Sequence, residues 1–461
     1  MAAGDEQPLT LGTPARRVLE ERYLQRDETG ALDETPAACF DRVARALASV
    51  ESEFGNDPAR VEERFREVLR SRDFPPNSPT LMNAGTDRSQ LAACFVLPVE
   101  DSIESIFSTL KETALIHQSG GGTGFSFSKL RPAGDVVKST GGVASGPVSF
   151  MRIFDAATEQ IKQGGRRRGA NMAVLAAHHP DVDEFVTAKE DPDTLRNFNL
   201  SVATDAAFWD ALDADEPYDL RNPRTGEVTE RVDPAALLDR IARFAWATGD
   251  PGILFLDRIA ADNPTPALGE ITATNPCGEV PLLPHEACVL GSVNLAHMTT
   301  VDPQAGRTDG EIDWERLGET VALGGRLLDD AITASEFPSD TIADRMAGNR
   351  KIGLGVMGFA DMLVDLGVPY DSNEALEVAD EVMGFVADRA DEASRDLAES
   401  RGHFPNYPNS TLAAPRRNAT VTSIAPTGTI SLLAEVSASI EPIYNVAYTK
   451  HVLGGLAIEN S

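Results

Sequence analysis

Apolar residues recur at helix-like intervals through residues 41–71. Val43, Leu47, Val50, Phe54, Val61, Phe65 and Leu69 predict a helical region interrupted at Gly55–Pro58. A helix is predicted from Asp101 to Gln118, with Asp101 and Glu104 as a capping box and Ile103, Ile106, Phe107, Leu110 and Ala114 as its apolar stripe. Further helices are expected at 18–24, 183–189, 233–249, 313–333 and 371–400. The last is signed by Asp371 and Glu374 and carries Leu376, Ala379, Val382, Met383, Val386 and Ala390 along it. Short apolar runs at 91–98, 200–203, 253–256, 291–295, 352–358 and 421–425 predict strands. Three prolines between 75 and 79 keep the segment Phe74–Gly85 from being a helix interior. Strands alternating with helices indicate an α/β fold with a largely parallel sheet.

Composition narrows the function classes. The chain has 461 residues, 42% of them hydrophobic, enough for one large core or two to three ordinary domains. It contains no run of eighteen apolar residues and no signal-like N-terminus, so neither a membrane span nor secretion is expected. Four cysteines, without CxxC or Cys/His spacing, suit neither a disulfide scaffold nor zinc and fit a reducing cytoplasm. Acidic residues outnumber basic ones 72 to 41, for a net charge of -31. That excess runs along the whole chain and argues against a nucleic-acid-binding surface. It is read here as adaptation to high salt, where screening removes self-repulsion.

Candidate chemistry centres on Asn275-Pro276-Cys277-Gly278-Glu279, with Cys288 eleven residues beyond Cys277. Pro276 and Gly278 suit a tight non-helical loop, and a Cys between an amide and a carboxylate has a proton acceptor within reach. A lone Cys in a turn is more often simply buried, but other pieces accompany this one. Cys94 lies in a predicted strand, and Gly120–Phe125 is a glycine cluster that lets a backbone pass close to a ligand or another chain, with structural packing at least as good a reading. Gln163–Asn171 holds three consecutive arginines between glycines, a cationic loop suited to a polyphosphate. Pro426-Thr427-Gly428-Thr429-Ile430-Ser431 places hydroxyls and free N–H groups at a helix start, a ready anion site.

Taken together, these residues resemble the catalytic subunit of ribonucleotide reductase, most closely its adenosylcobalamin-dependent kind. The resemblance runs from about Phe74 to the end of the chain. Its carriers are Asn77–Asn83, Cys94, the Gly-Gly-Arg-Arg-Arg-Gly loop, Asn275–Glu279 with Cys288, Ile352–Phe359 and Pro426–Ser431. It implies residues 1–72 as an N-terminal arm and helical region, and 73–461 as a ten-stranded α/β barrel. That barrel consists of two antiparallel five-stranded parallel halves around a finger loop tipped by Cys277. Cys277 would be the thiyl radical, Glu279 the acceptor of the 3′-hydroxyl proton, and Asn275 a partner of the reacting sugar. Cys94 and Cys288 would supply two electrons as they close to a disulfide, whereas Cys39 is read as an ordinary buried Cys. Ser78, Ala93, Cys94, Gly122, Asn275–Glu279 and Pro426, Thr427, Gly428, Thr429 and Ile430 would hold a ribonucleoside di- or triphosphate. Asp101, Arg131, Arg166 and Arg167 would serve a deoxynucleotide or ATP effector at a homodimer interface, with a thioredoxin-like protein as reductant. No metal ligand set is expected in the chain. By the same resemblance an N-terminal ATP-cone is missing, and the chain is expected to be truncated or split at its C-terminal end. A large subunit served by a separate radical-generating metalloprotein, and a non-catalytic nucleotide-binding fragment, remain the alternative readings.

Overall fold

Proline after a short polar residue starts several helices. Thr35 accepts a hydrogen bond from the Ala38 amide at the head of Pro36–Ala48, Asp57 does so for Ala59 ahead of Pro58–Ser71, and Asp233 for Ala235 ahead of Pro234–Thr248. Each proline fills a first-turn position whose N–H would have no helical partner. The computed structural model describes residues 9–137, 142–163, 167–300, 310–445, 447–452 and 456–460. Its contacts divide the chain into two units, residues 1–93, 288–408 and 412–461 forming one, and residues 94–287 with 409–411 the other.

In the first unit, helices Pro36–Ala48 and Pro58–Ser71 pack together, joined by a 3-10 turn at Ser49–Phe54. The strand Ala287–Asn294 pairs in parallel with Ile352–Met357, from Val289 opposite Ile352 to Asn294 opposite Met357. All fourteen of those residues are buried, as expected for parallel strands covered on both faces. Helices Trp314–Ala334 and Asn373–Arg401 pack against each other. Phe74 is fully buried and packs against Gly291 and Gly324, where any side chain would collide with its ring.

A polar network lies within this unit. Arg401, with a fully buried side chain, reaches Glu51 at 2.6 Å, Asp330 at 2.6 Å and Asp329 at 3.0 Å. Asp329 also meets Arg350 at 2.8 Å and Arg417 at 3.2 Å, and Glu51 meets Arg326. The guanidinium of Arg401 stands 4.4 Å from the centroid of the Phe54 ring.

The second unit is built on five parallel strands in the spatial order Gly252–Phe255, Phe198–Thr204, Asn171–Ala176, Gly122–Ser126 and Cys94–Pro98. Phe125, Phe127, Phe154 and Phe198 form an aromatic cluster with ring centroids 5.0 to 6.4 Å apart. The antiparallel strands Ala273–Thr274 and Pro281–Leu282 make a hairpin in contact with the sheet. The α/β class and the parallel pairing thus match the expectation from periodicity.

Several local expectations need correction. Ser102, not Asp101, caps the helix Ile103–Gln118, because its extended backbone brings the hydroxyl to the Ser105 amide. That helix buries Ile106, Thr109, Thr113, Ile116 and His117, whereas Ile103 and Phe107 of the expected stripe are exposed. Likewise Ser372, not Asp371, caps Asn373–Arg401, and Leu376 faces outward. The proline-rich stretch contains a short helix, Ser78–Asn83, whose Pro79 is accommodated in the first turn. The strand expected over 91–98 starts only at Cys94, and the segment 421–425 makes a single bridge, Leu354 to Thr422.

Candidate active site

Asn275 to Val280 form the tip of the hairpin in the second unit. The Asn275 amide donates to the Val280 carbonyl at 3.2 Å, and the Val280 amide donates to Asn275 Oδ1 at 2.9 Å. The Gly278 amide closes a turn on the Asn275 carbonyl at 3.1 Å, and its φ of +90° is a value only glycine adopts without strain. The hairpin lies directly on the sheet. A Cβ at Gly124 would sit 1.8 Å from the Thr274 carbonyl oxygen, and one at Gly122 would sit 2.7 Å from Pro276 Cγ. The glycine cluster therefore serves the close passage of a backbone, which is this hairpin.

This geometry gathers four of the expected residues. Asn275 is buried, and its Nδ2 donates to Glu279 Oε2 at 2.6 Å and to Cys94 Sγ at 3.1 Å. Glu279 Oε1 lies 4.0 Å from Cys94 Sγ. Cys94 is buried, whereas Cys277 is exposed at the tip. Burial raises the Glu279 carboxyl above its usual range, and the hydrogen bond from Asn275 works against that rise. A carboxyl so placed can accept and return a proton close to an accessible thiol.

The remaining expected substrate residues lie in the first unit. Cys288 is buried, with its Sγ 3.6 Å from the Val289 carbonyl, and its own carbonyl accepts the Ala93 amide at 3.1 Å. Ser78 Oγ and Tyr23 Oη are hydrogen-bonded at 2.9 Å. Thr427 has φ +52°, and its hydroxyl accepts the Ser439 amide at 2.7 Å. Thr429 Oγ1 accepts from Arg22 at 2.7 Å, one residue before the short helix Ile430–Ala434. As acceptors in these bonds, the Thr427 and Thr429 hydroxyls each keep their own proton to donate, whereas one of Ser78 and Tyr23 donates to the other. Pro426 precedes Thr427 in this loop, and Gly428 lies between the two threonines.

Asp101 and Arg131 form an ion pair in the second unit, with Nε 2.8 Å from Oδ2. Arg166 lies outside the described residues, and of Arg167 only the backbone is described, in the two-residue strand Arg167–Arg168. Cys39 is buried in the first unit, its thiol pushed up to about 12 by burial although the Arg42 charge opposes this. No cluster of three or more His, Cys, Asp or Glu side chains suited to a metal ion occurs among the described residues, and none of their helices is long and apolar enough to cross a membrane.

Sequence reasoning missed Asn199, whose Nδ2 donates to the Pro276 carbonyl at 2.7 Å. Its signal was faint: one amide between the buried Phe198 and Leu200 of a strand that also carries Ser201 and Thr204. Arg22 and Tyr23 were also missed, because nothing local ties them to positions 429 and 78.

Comparison with known proteins adds independent support. The model of the ribonucleotide reductase barrel domain matches residues 92–416 and 412–460, and that of the family's all-alpha domain matches residues 9–89. The vitamin B12-dependent ribonucleoside-diphosphate reductase of Mycobacterium tuberculosis (strain CDC 1551 / Oshkosh) is 50% identical over 460 residues, covering 99% of this chain and 65% of the relative. The protein of the same name from Thermoplasma acidophilum is 48% identical, covering 99% of this chain and 66% of its own. A ribonucleoside-diphosphate reductase subunit alpha from Chlamydia pneumoniae is 28% identical over 95% of this chain. The chain thus spans just under two thirds of the length of the first two relatives. With both family models matched in order and nearly the whole chain covered, the chain belongs to the ribonucleotide reductase family.

Proposed function

We propose that this chain carries the radical chemistry of a cobalamin-dependent reductase that converts ribonucleotides to 2′-deoxyribonucleotides. The observation that carries this reading is the convergence of Cys94, Asn275 and Glu279 at the hairpin tip that exposes Cys277. An exposed thiol fits a cofactor that must reach its sulfur, and adenosylcobalamin, when bound, supplies the radical equivalent. The Cys277 thiyl takes the 3′ hydrogen of the ribose. Glu279 takes the 3′-hydroxyl proton, and Asn275 orients both the carboxylate and the sugar. The 2′ hydroxyl leaves as water with a proton from a thiol. Cys94 and Cys288 together give two electrons and close to a disulfide, and Cys277 then returns its hydrogen to C3′. An external thioredoxin-like dithiol reopens the disulfide for the next turnover.

Binding roles follow the same reading. Ser78, Ala93, Gly122 and the Pro426–Ile430 loop hold the substrate, with the Thr427 and Thr429 hydroxyls toward its phosphates. Asp101, Arg131, Arg166 and Arg167 belong to the deoxynucleotide effector. A homodimer suits the exposed Ile103, Phe107 and Leu115 on one helix and Ile153 on the helix packed beside it. Residues 73–461 are assigned to a ten-stranded α/β barrel, preceded by the arm and helices of residues 1–72, and the enzyme to the cytoplasm.

The test is reduction of CDP and CTP in molar KCl with dithiothreitol, with and without adenosylcobalamin. Deoxynucleotide that forms only with the cofactor, and disappears in Cys277→Ser while nucleotide binding persists, is the expected result. Turnover near wild type in Cys277→Ser sinks the radical assignment. Cofactor-independent turnover restored by a metalloprotein subunit favours the other large-subunit type.

A further inference from the structure

We propose that Asn199 is a positioning residue for Cys277, a role that rests on the radical reading of the hairpin tip. Asn199 lies on the strand Phe198–Thr204, and its side-chain amide donates to the Pro276 carbonyl at 2.7 Å. That carbonyl belongs to the peptide unit that continues into Cys277. A peptide unit is planar, so the direction of its oxygen sets the direction of the following N–H and Cα. The ring of Pro276 already fixes φ at that residue. The ψ torsion of Pro276 is then the one soft rotation between the proline ring and the Cys277 Cα, and the Asn199 hydrogen bond holds it.

The other bonds quoted for the tip act elsewhere. Asn275 and Val280 bind each other and Gly278 binds Asn275, which sets the shape of the hairpin, and Asn275 Nδ2 ties residue 275 to Cys94 on the sheet, whereas the Asn199 bond acts on the Pro276–Cys277 peptide itself. Gly122 and Gly124 let the hairpin come close, since a side chain at either would collide with Pro276 or Thr274. The residue type also fits. Phe198 and Leu200, on either side, point into the core, while Asn199 is exposed on the opposite face of a sheet strand where an apolar residue would be usual. An amide there has a donor to give, and the hairpin carbonyl receives it.

The experiment uses the full chain with Asn199→Ala and the near-isosteric Asn199→Asp, which has no donor when ionised. Position 199 is exposed, so folding is expected to survive, and thermal melts check it. Alkylation of Cys277 by iodoacetamide at one fixed pH, followed by peptide mass spectrometry, reads the tip without requiring turnover. Losing one hydrogen bond of ordinary net strength is expected to speed the Ala and Asp variants about fivefold, each as a single exponential. In the reductase assay kcat is expected to fall by about 10- to 100-fold, with KM within about twofold, because the thiol is misplaced and not the nucleotide. A simple loss of folded protein would leave the alkylation rate of the native fraction unchanged. Wild-type alkylation rates in both variants overturn the proposal, as does faster alkylation with undiminished kcat. If the wild-type chain reduces no nucleotide under any condition, the radical reading fails, and the alkylation arm still decides whether Asn199 holds the tip.

Discussion

Replacing Asp330 by Asn tests the buried ionic network through its pH dependence. Asp330 is fully buried and takes a 2.6 Å hydrogen bond from Arg401 on Oδ1, while Oδ2 receives no N–H or O–H. Its carboxyl is hydrogen-bonded to that of Glu51, which requires a proton on one of the two. Burial alone would raise Glu51, but the hydrogen bonds from Arg326 and Asp330 and the Arg401 charge bring it down to about 2. Burial drives Asp330 well above its ordinary value of 3.8, with Arg401 opposing and Glu51 and Asp329 adding to the rise. The proton therefore resides on Asp330. Because the folded value is raised, its stabilising contribution is whole below the unfolded value and is lost as pH rises toward the folded one. Within that window each pH unit removes about 1.4 kcal/mol of stability. In Asp330→Asn the amide donates to Glu51 and its carbonyl accepts from Arg401 without a proton to lose. The variant should therefore gain on the native chain by up to about 1.4 kcal/mol per pH unit, starting just above 3.8. Urea unfolding at pH 5, 6, 7 and 8 measures this, followed by far-UV circular dichroism and by the fluorescence of Trp314, which lies 4.9 Å from the Phe385 ring in the same unit. Effects of overall charge are common to both proteins and cancel in the difference. A stability difference that stays constant from pH 5 to 8 would refute the assignment of the proton.

Two further outcomes are expected. Gly124→Ala puts a methyl 1.8 Å from a backbone oxygen of the hairpin, which cannot yield as a side chain could. It should cost about 3 kcal/mol and lower the melting temperature, and a melt unchanged within a degree would contradict the close passage. The net charge of -31 should make the chain melt higher in 2 M KCl than in dilute buffer, since the screening length falls to about 3 Å at 1 M salt. Equal melting temperatures would defeat the reading of the acidic surface as a salt adaptation.

Much of this protein could be read from its sequence because the signals are local. Helix periodicity and apolar runs between turn residues depend on neighbours a few positions away. They located helices such as Pro36–Ala48, Ile103–Gln118, Pro234–Thr248 and Trp314–Ala334 and the strands Cys94–Pro98, Phe198–Thr204 and Ile352–Met357, but not the helix Pro147–Gln160 or the strands Gly122–Ser126 and Asn171–Ala176. The motif around Cys277 was legible for the same reason: Pro276, Gly278 and Glu279 act within one hairpin tip. Caps were misread where two candidates adjoin. The choice between Asp101 and Ser102 falls to the residue directly before the helix, whose extended backbone brings its hydroxyl to the Ser105 amide, while Asp101 pairs with Arg131 thirty residues away. The exposed side of the Ile103–Gln118 helix was misread because an apolar stripe does not say which of two faces a sheet will cover. Tertiary structure alone brought Cys94 to Asn275 across 181 positions, Asn199 to Pro276 across 77, and Arg401 to Glu51 across 350. Such contacts depend on the order of parallel strands and the path of the chain between them. A linear pattern carries neither, since an amide or a guanidinium looks the same whether its partner is water or a buried group far along the chain.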